Sequence, residues 1–536
     1  MLLASAQDAR AVAPPASLGR HARLNPWRLE PVDLRRFIRL GIEHIYTGAL
    51  DPKRGYLPFV RFNLTDPPTW ARHEYWGSPH MVGRFLDALA QCAEVVDAPH
   101  DDKAVQGLTK LLHNCLDNPW GLPFDTLPDP QGRKTGNMHH CREVLLALVG
   151  LARWRGCERS LELARGLVRA MEKATRETGA YPSHMLGEKA WLEPEPGWIN
   201  YTTGRAIGAL TAYYRATEDA LAVDLAKRFA DYNIEKTFRP DGELTEASGY
   251  HLHSTEGTMA SILDLGALTG EQRFLAFGRK LYDVGLPRYR TSYGWAKEST
   301  NAHPGGRGEA NNTGDFIEAA LTLAQHVDRA YYADAERFIR NGLLASQMVH
   351  TDWIVQSEEA DTDDYAYSDI RKRARGAFAF TTPNGYHSYN TDLMGGALRA
   401  LCKAHRGTVT REKDNCRVNM LFAADTPWLS IDSRLPAEGR VTIRIKQPST
   451  LWVRPLEGVA KDGVQVTVDG ESRSAAWAGG ELIIDSLAPG ATAEVAFDLT
   501  ERRAQEDARG WGTSEVHWRG NTIIAMTPAQ GPIGLY

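Results

Sequence analysis

The sequence predicts a mainly α protein with a β domain: an (α/α)6 toroid followed by a C-terminal antiparallel β-sandwich. Three observations lead there. Apolar residues recur at helical spacing from Pro31 to about Ala404, the period drops to two after about Gly407, and three stretches echo one another roughly every 50–60 residues. At 536 residues the chain is too long for one ordinary core. The expected division is a Pro/Ala-rich N-terminal tail over residues 1–25, the toroid over 26–406 and the sandwich over 407–536.

The helices follow in order. Val32–Ile45 puts Leu34, Ile38 and Ile42 on one stripe, and Met81–Val95, Ala104–Leu116, Arg142–Arg155 and Leu161–Ala174 repeat the pattern. Gly204–Arg215, Ala222–Phe229, Glu256–Leu268, Gln272–Tyr282, Asp315–Asp328, Tyr332–Met348 and Met394–Ala404 complete the set. The echoes are Ala216–Arg228, Leu268–Lys280 and Val327–Arg337, a spacing that suits one helical hairpin per repeat. Such hairpins build a closed toroid or an open solenoid. Long loops rich in aromatic, His and carboxylate residues favour closure, since a toroid needs a mouth. The strands are Arg417–Phe422, Arg440–Ile445, Val464–Val468, Glu481–Ile484, Thr492–Phe497, Val516–Trp518 and Thr522–Met526, divided by turns such as Asp469-Gly470 and Pro489-Gly490.

Composition removes several classes of function. A net charge of -5 gives no electrostatic case for nucleic acid or an anionic membrane. No apolar run approaches the roughly 18–20 residues that span a bilayer. The N-terminus lacks the basic and apolar regions of a signal peptide, so a cytoplasmic protein is expected. The six cysteines form no CxxC pair and read as buried free thiols. There is no P-loop, dinucleotide fingerprint or HExxH, and the acidic run Glu358–Asp364 lacks calcium-loop spacing; neither a cofactor nor a metal is expected.

Chemistry concentrates in Glu298–Glu318, a Gly-rich loop running into a helix expected to open at Asp315. Glycosidic hydrolysis needs one protonated carboxyl and a second group as base or nucleophile, and this loop supplies several carboxylates. Asp315 also reads as an N-cap and Glu318 as its capping-box partner. Glu309, between Gly308 and Ala310, has no such structural duty and is the better catalytic candidate. Glu243–Glu256 carries His251 and His253, of which alternation turns one to a cavity. Arg72–Trp76 brings His73, Glu74 and Trp76, followed by His80 and Arg84. Asn137–Glu143 brings His139 and His140. Together with Arg205, Glu298, Arg307 and His387, these offer the apolar faces and polar edges that sugar rings bind. The basic run Arg371–Arg375 reads as solvated, or as a carboxylate contact if it faces the cleft.

Gly308-Glu309 with Glu318-Ala-Ala-Leu-Thr-Leu, then Tyr332–Arg337, Asn341-Gly-Leu-Leu-Ala and Val418-Asn-Met-Leu-Phe, carry a resemblance, as do Trp518-Arg-Gly, Met526-Thr-Pro and the final Gly534-Leu-Tyr. Over most of residues 30–536 the chain resembles the β-L-arabinofuranosidase-like clan of glycoside hydrolases, family 127 and relatives such as the family 154 β-glucuronidases. The resemblance implies that Glu309 is the acid/base, that Glu318 matches a zinc ligand and that His253 matches a sugar contact. It also shows a departure. The family's Glu-x-Cys pair is here Glu318-Ala319-Ala320, and its later adjacent cysteines fall near Asp392-Leu393, so the zinc-cysteine site is missing.

What the sequence supports is a glycosidase removing a terminal sugar, such as β-glucuronate, from an oligosaccharide or polysaccharide. Glu309 would be the acid, with Glu318 or Asp392 as its partner. The alternatives are a polysaccharide lyase using Tyr250 or His253 with Asn200 and Arg205, a non-catalytic sugar-binding scaffold, and an isomerase or epimerase. For the sandwich, packing on the toroid, mediating a homodimer and completing the pocket all stay open.

Overall fold

Asp33, Asp101 and Asp219 each place a side-chain oxygen on the free N–H groups of a helix's first turn, and Gly156 and Gly270 end helices in the left-handed conformation. The computed structural model describes residues 22–24, 28–181, 184–187, 190–193, 199–301 and 306–536. Its helices are α1 (Leu34–His44), α2 (Ser78–Ala93), α3 (Asp102–Asn114), α4 (His140–Arg155), α5 (Glu158–Thr175), α6 (Arg205–Thr217) and α7 (Ala220–Thr237). They continue as α8 (Leu252–Thr269), α9 (Gln272–Lys280), α10 (Ala310–His326), α11 (Tyr331–Phe338), the short α12 (Ile370–Ala374) and α13 (Leu393–Thr408).

Packing closes the toroid. Helix α2 neighbours α4, α4 neighbours α6, and the chain of contacts runs through α8, α10 and α13 back to α2. Each inner helix packs against an outer one, α3, α5, α7, α9, α11 and α1 in the same order. The inner helices are buried almost all round, whereas the outer ones carry a single apolar stripe. The three sequence echoes mark the starts of the outer helices α7, α9 and α11, so they do record one hairpin per repeat.

Residues 409–499 form an apolar core of their own between two sheets. One joins Val409–Glu412, Asn415–Val418, Ser449–Val453, Glu481–Leu487 and Ala476–Ala478; the other is built around Leu429–Ser433, Arg440–Ile445, Thr492–Ala496 and Gln465–Val468. Pairing is antiparallel except that Asn415–Val418 runs parallel to Ser449–Val453. Strands Glu501–Asp507, Thr513–Arg519 and Thr522–Thr527, of which the last two read as sandwich strands, form a separate three-stranded sheet. Its Val516, Trp518, Ile523 and Met526 join the core of the helical region. The N-terminal residues Ala22–Arg23 pair in parallel with Ile533–Gly534; residues 1–21 of the expected tail lie outside those described. Ion pairs fasten sandwich to toroid: Arg329 donates to Glu481 at 2.6 Å and Arg454 to Glu336 at 2.8 Å.

Two expectations change. Helix α10 starts at Ala310, so Asp315 lies inside it and is not its N-cap, and Glu318 is no capping-box partner. The reason is that Glu309 holds the extended N-cap conformation and the helix starts immediately after it. The six cysteines are free, and among the described residues no helix is long and apolar enough to cross a membrane.

Candidate active site

Each inner helix contributes polar residues from its N-terminal end or the turn before it: His80 and Arg84 on α2, His139, Arg142 and Glu143 at α4, and Arg205 on α6. His253 and Glu256 come from α8, Glu309 and Asp315 from α10, and Asp392 precedes α13. The N-terminal end of a helix carries partial positive charge and unpaired N–H groups, so this end of the ring favours anions.

The deeper layer centres on Glu143, a carboxylate only 1% exposed. Its Oε1 accepts from Arg205 Nη2 at 2.6 Å and Arg142 Nη1 at 2.8 Å, with Arg84 Nη2 at 3.4 Å. Burial alone would raise its pKa, but Arg205, His80 and Arg142 outweigh it and hold it well below the usual carboxylate range. His253 Nε2 lies 2.9 Å from Arg84 Nη2 and 3.2 Å from Arg205 Nη2. A guanidinium can only donate, so Nε2 accepts and the proton sits on Nδ1, donated to Asp315 Oδ2 at 2.7 Å. The same logic makes His80 Nε2 the acceptor of Arg84 Nε at 2.8 Å. His139 stacks on Tyr201 with ring centroids 3.9 Å apart, and Arg205 Nη1 lies 2.6 Å from its Nδ1. Burial lowers the pKa of His253 well below its ordinary value and that of His140 to about 4, and both rings are neutral at pH 7.

The upper layer holds the other carboxylates. Glu309 is 4% exposed; its Oε1 accepts from Asn311 Nδ2 at 2.6 Å, and its Oε2 has no partner among the described residues. Burial, then the charges of Asp392 and Glu298, push its pKa well above the carboxylate range. Asp392 is raised too, chiefly by burial, and its Oδ1 is also unpartnered. Glu298 goes the other way. Burial would raise it, but the charge and hydrogen bonds of Arg307, which grips it through Nε and Nη2, bring it below its ordinary value. Arg307 in turn lies over the Phe380 ring at 3.8 Å. One donor atom each of Glu298, Glu309 and His251 lie within 4.8 Å of one another.

Of the residues singled out in the sequence, Glu309, Asp392, Glu298, Arg307, Arg205, His139, His140 and His253 come together here. Glu318 does not join them: it faces Lys403 at 3.5 Å and Arg399 at 4.0 Å, both on α13. His73 is held by Pro58 O at 3.0 Å and Asp51 Oδ2 at 3.1 Å and stacks on Phe59, which gives it a structural duty. Glu74 bridges Arg61 and Arg72, and Arg61 lies over Trp76 at 5.6 Å, so both belong to a neighbouring charged and aromatic group. His387 is exposed and close enough to Glu298 to act on its charge. The basic run is pinned elsewhere: Arg373 reaches Gly48 O at 3.2 Å and Arg375 reaches Glu43 at 3.3 Å. Sequence reasoning passed over Asn311, Asn312 and Tyr201. Asn312 Nδ2 donates to Glu256 Oε2 at 2.6 Å, and the signal was the unusual Asn-Asn pair placed directly after the Glu309 N-cap.

These residues do not fit the zinc-thiolate group of family 127. Ala320, Asp392 and Leu393 stand where thiolates would be needed, and Glu318 is turned toward two cations. In the group of His251, Glu298 and Glu309, Arg307 already neutralises Glu298. The arrangement can therefore act through carboxylates, one protonated and one ionised.

Comparison with known proteins agrees with this architecture. The model of the GH127 catalytic domain of β-L-arabinofuranosidases matches residues 142–364, which contain Glu143, Arg205, His253, Glu298 and Glu309. Among solved structures, the chain is similar to a GH127 β-L-arabinofuranosidase from Geobacillus stearothermophilus T6. Identity is 14% and the TM-score 0.55, over 82% of this chain and 76% of that one. It is also similar to another GH127 β-arabinofuranosidase, at 14% identity and TM-score 0.61, over 92% of this chain and 85% of that one. At such identities the structural likeness speaks for the fold. No curated protein sequence matches the chain.

Proposed function

Starting from a chain of the GH127-like glycoside hydrolases, we propose that it removes a terminal sugar, a uronic acid, from an oligosaccharide or polysaccharide by carboxylate acid/base catalysis. The observation that carries this reading is the pairing of Glu309 with Glu298. Two carboxylates with oxygens within 4.8 Å have environments that drive their pKa values apart, upward at Glu309 and downward at Glu298. That separation divides the labour: Glu309 is the general acid and Glu298 the ionised partner.

The reaction follows from this assignment. Glu309 gives its proton to the glycosidic oxygen as the bond from that oxygen to the anomeric carbon breaks. Glu298 attacks the anomeric carbon, forming a glycosyl ester. Glu309, now a carboxylate, takes a proton from water while the water oxygen displaces Glu298. Carboxylate oxygens no more than 4.8 Å apart leave no room for a water between the two groups, which suits this double displacement, so the product should keep the substrate's anomeric configuration. Buried side chains of His80, His139, Glu143 and Arg205 fill the toroid axis below, which suits a blind pocket taking a chain end. The lyase alternative with His253 as its base loses support because the His253 lone pair already accepts from Arg84 and Arg205, and Arg205 is committed to Glu143.

The test is hydrolysis of aryl uronides and aryl glycosides with good and poor leaving groups. Glu309→Gln should slow substrates with poor leaving groups by about 10²–10⁴-fold and those with good leaving groups far less. Proton NMR of the first-formed anomer reads the stereochemistry. A product absorbing through a new carbon–carbon double bond, or no turnover of any glycoside, would sink the reading.

A further inference from the structure

The acid–base step leaves the deeper layer without a task, and that layer carries more positive charge than it neutralises. Arg84, Arg142 and Arg205 are 2%, 6% and 0% exposed, and all three turn to a single oxygen of Glu143. The next carboxylate, Asp315, is occupied by His253. Arg399 is answered separately by Asp87 and Glu318. Burying guanidinium groups without matching anions is costly. Arg84 Nη1, Arg205 Nε and His140 Nδ1 are buried and have no hydrogen-bond partner among the described residues. Helix N-terminal ends converge on the same place and add to the positive field.

We infer that Arg84 and Arg142, with His140 beside them, form the receptor for the carboxylate of the sugar being cleaved. This rests on the hydrolase reading above and assigns its specificity to particular side chains. Position supports it. The Arg84 charge acts on both Glu309 and Asp392, so this arginine spans the two layers. In a hexuronic acid the carboxylate stands on C5, which only the ring oxygen separates from the reacting C1; its receptor must therefore adjoin the catalytic carboxyls. Arg84 spends Nε on His80 and Nη2 on His253 and offers its unpartnered Nη1; a single lysine ammonium cannot hold all three contacts at once. Arg205, fully buried and shared between Glu143 and His139, holds the layer together as a positioning residue.

The experiment compares an aryl β-glucuronide with the matching aryl β-glucoside in wild type, Arg84→Lys and Arg142→Lys. The ratio of the two kcat/KM values should fall by about 10–100-fold in each variant, mainly through KM for the uronide. Calorimetric titration of Glu309→Gln with glucuronate, glucose and inorganic phosphate reads the receptor without catalysis. Glucuronate should bind, glucose should bind much more weakly, and adding Arg84→Lys should remove the difference. Thermal melts establish that each variant is folded. An unchanged ratio in folded variants, equal binding of glucuronate and glucose, or a preference for phosphate overturns the receptor. Failure of wild type to hydrolyse any glycoside, with glucuronate still bound selectively, overturns the hydrolase reading and leaves the receptor standing.

Discussion

The axis of the toroid and the core of the sandwich solve the same burial problem with opposite materials. In the sandwich, Ile431, Val441, Ile443, Leu451, Val453, Leu482, Ile484 and Val495 meet between two sheets, and charged residues such as Lys446 and Asp425 pair at the surface. Alternation along each strand is enough to build it, because inward positions want only apolar volume. At the toroid axis the inward positions near the helix N-terminal ends are Arg, His, Glu, Asp and Asn. Several keep atoms without partners among the described residues, Glu309 Oε2, Asp392 Oδ1 and Arg84 Nη1 among them. A core that serves only stability satisfies or excludes its polar groups; one built for chemistry holds some in reserve.

The largest effect that would break this contrast is expected at Glu143. Its replacement in Glu143→Gln leaves three buried arginines facing a neutral group, and loss of one partner of a buried ion pair costs about 3–5 kcal/mol. Chemical denaturation should register this loss in the helical region. A drop below about 1 kcal/mol would mean that the arginines are neutralised by something other than Glu143. In the sandwich the matching cut is Leu451→Ala, at a fully buried position on Ser449–Val453. Removing that side chain should cost about 2–5 kcal/mol through lost burial and the cavity left behind. Because Leu451 lies in the separate core, kcat/KM measured on the folded fraction should not change. A fall in activity there would mean that the sandwich shapes the catalytic pocket, and the two regions would no longer be independent.

The same contrast explains what could be read in the sequence. Arg440–Ile445 matches its strand end to end, since a half-buried strand writes its period of two directly into residue type. The outer helices were legible through their stripes and echoes. Inner helices give a weaker signal: the Gly-rich stretch ahead of Asp315 predicts a loop and a helix opening at that residue, whereas Asn311, Asn312 and Asp315 are buried in the first turns of α10. Glu309 stood out because nothing local needed it. Glu318 looked equivalent from spacing alone, yet its partners Arg399 and Lys403 lie some eighty residues on, beyond the reach of local pattern. The role of Glu143 was hidden for the same reason, because its arginine partners come from α2, α4 and α6.

The smallest of these effects is a slope. Burial, opposed by Arg142 and reinforced by Glu318, raises the Asp315 pKa from 3.8 to about 7. Between those two values the folded chain keeps a proton that the unfolded chain has released. Folding then binds a proton, and the contribution of Asp315 to stability declines as pH rises from about 4 to about 7, levelling off above. Asparagine is neutral throughout and can still accept from His253 Nδ1 through its carbonyl oxygen. Asp315→Asn should therefore melt with a flatter dependence on pH over that window than wild type, while keeping its His253 contact. Some slope should persist, because Glu309 and Glu256 are also raised by burial and act in the same direction. Melting curves at half-unit intervals from pH 4 to pH 8 measure the difference. Identical slopes for wild type and Asp315→Asn would mean that Asp315 is ionised within the arginine layer, which would reduce the excess positive charge offered to a substrate carboxylate.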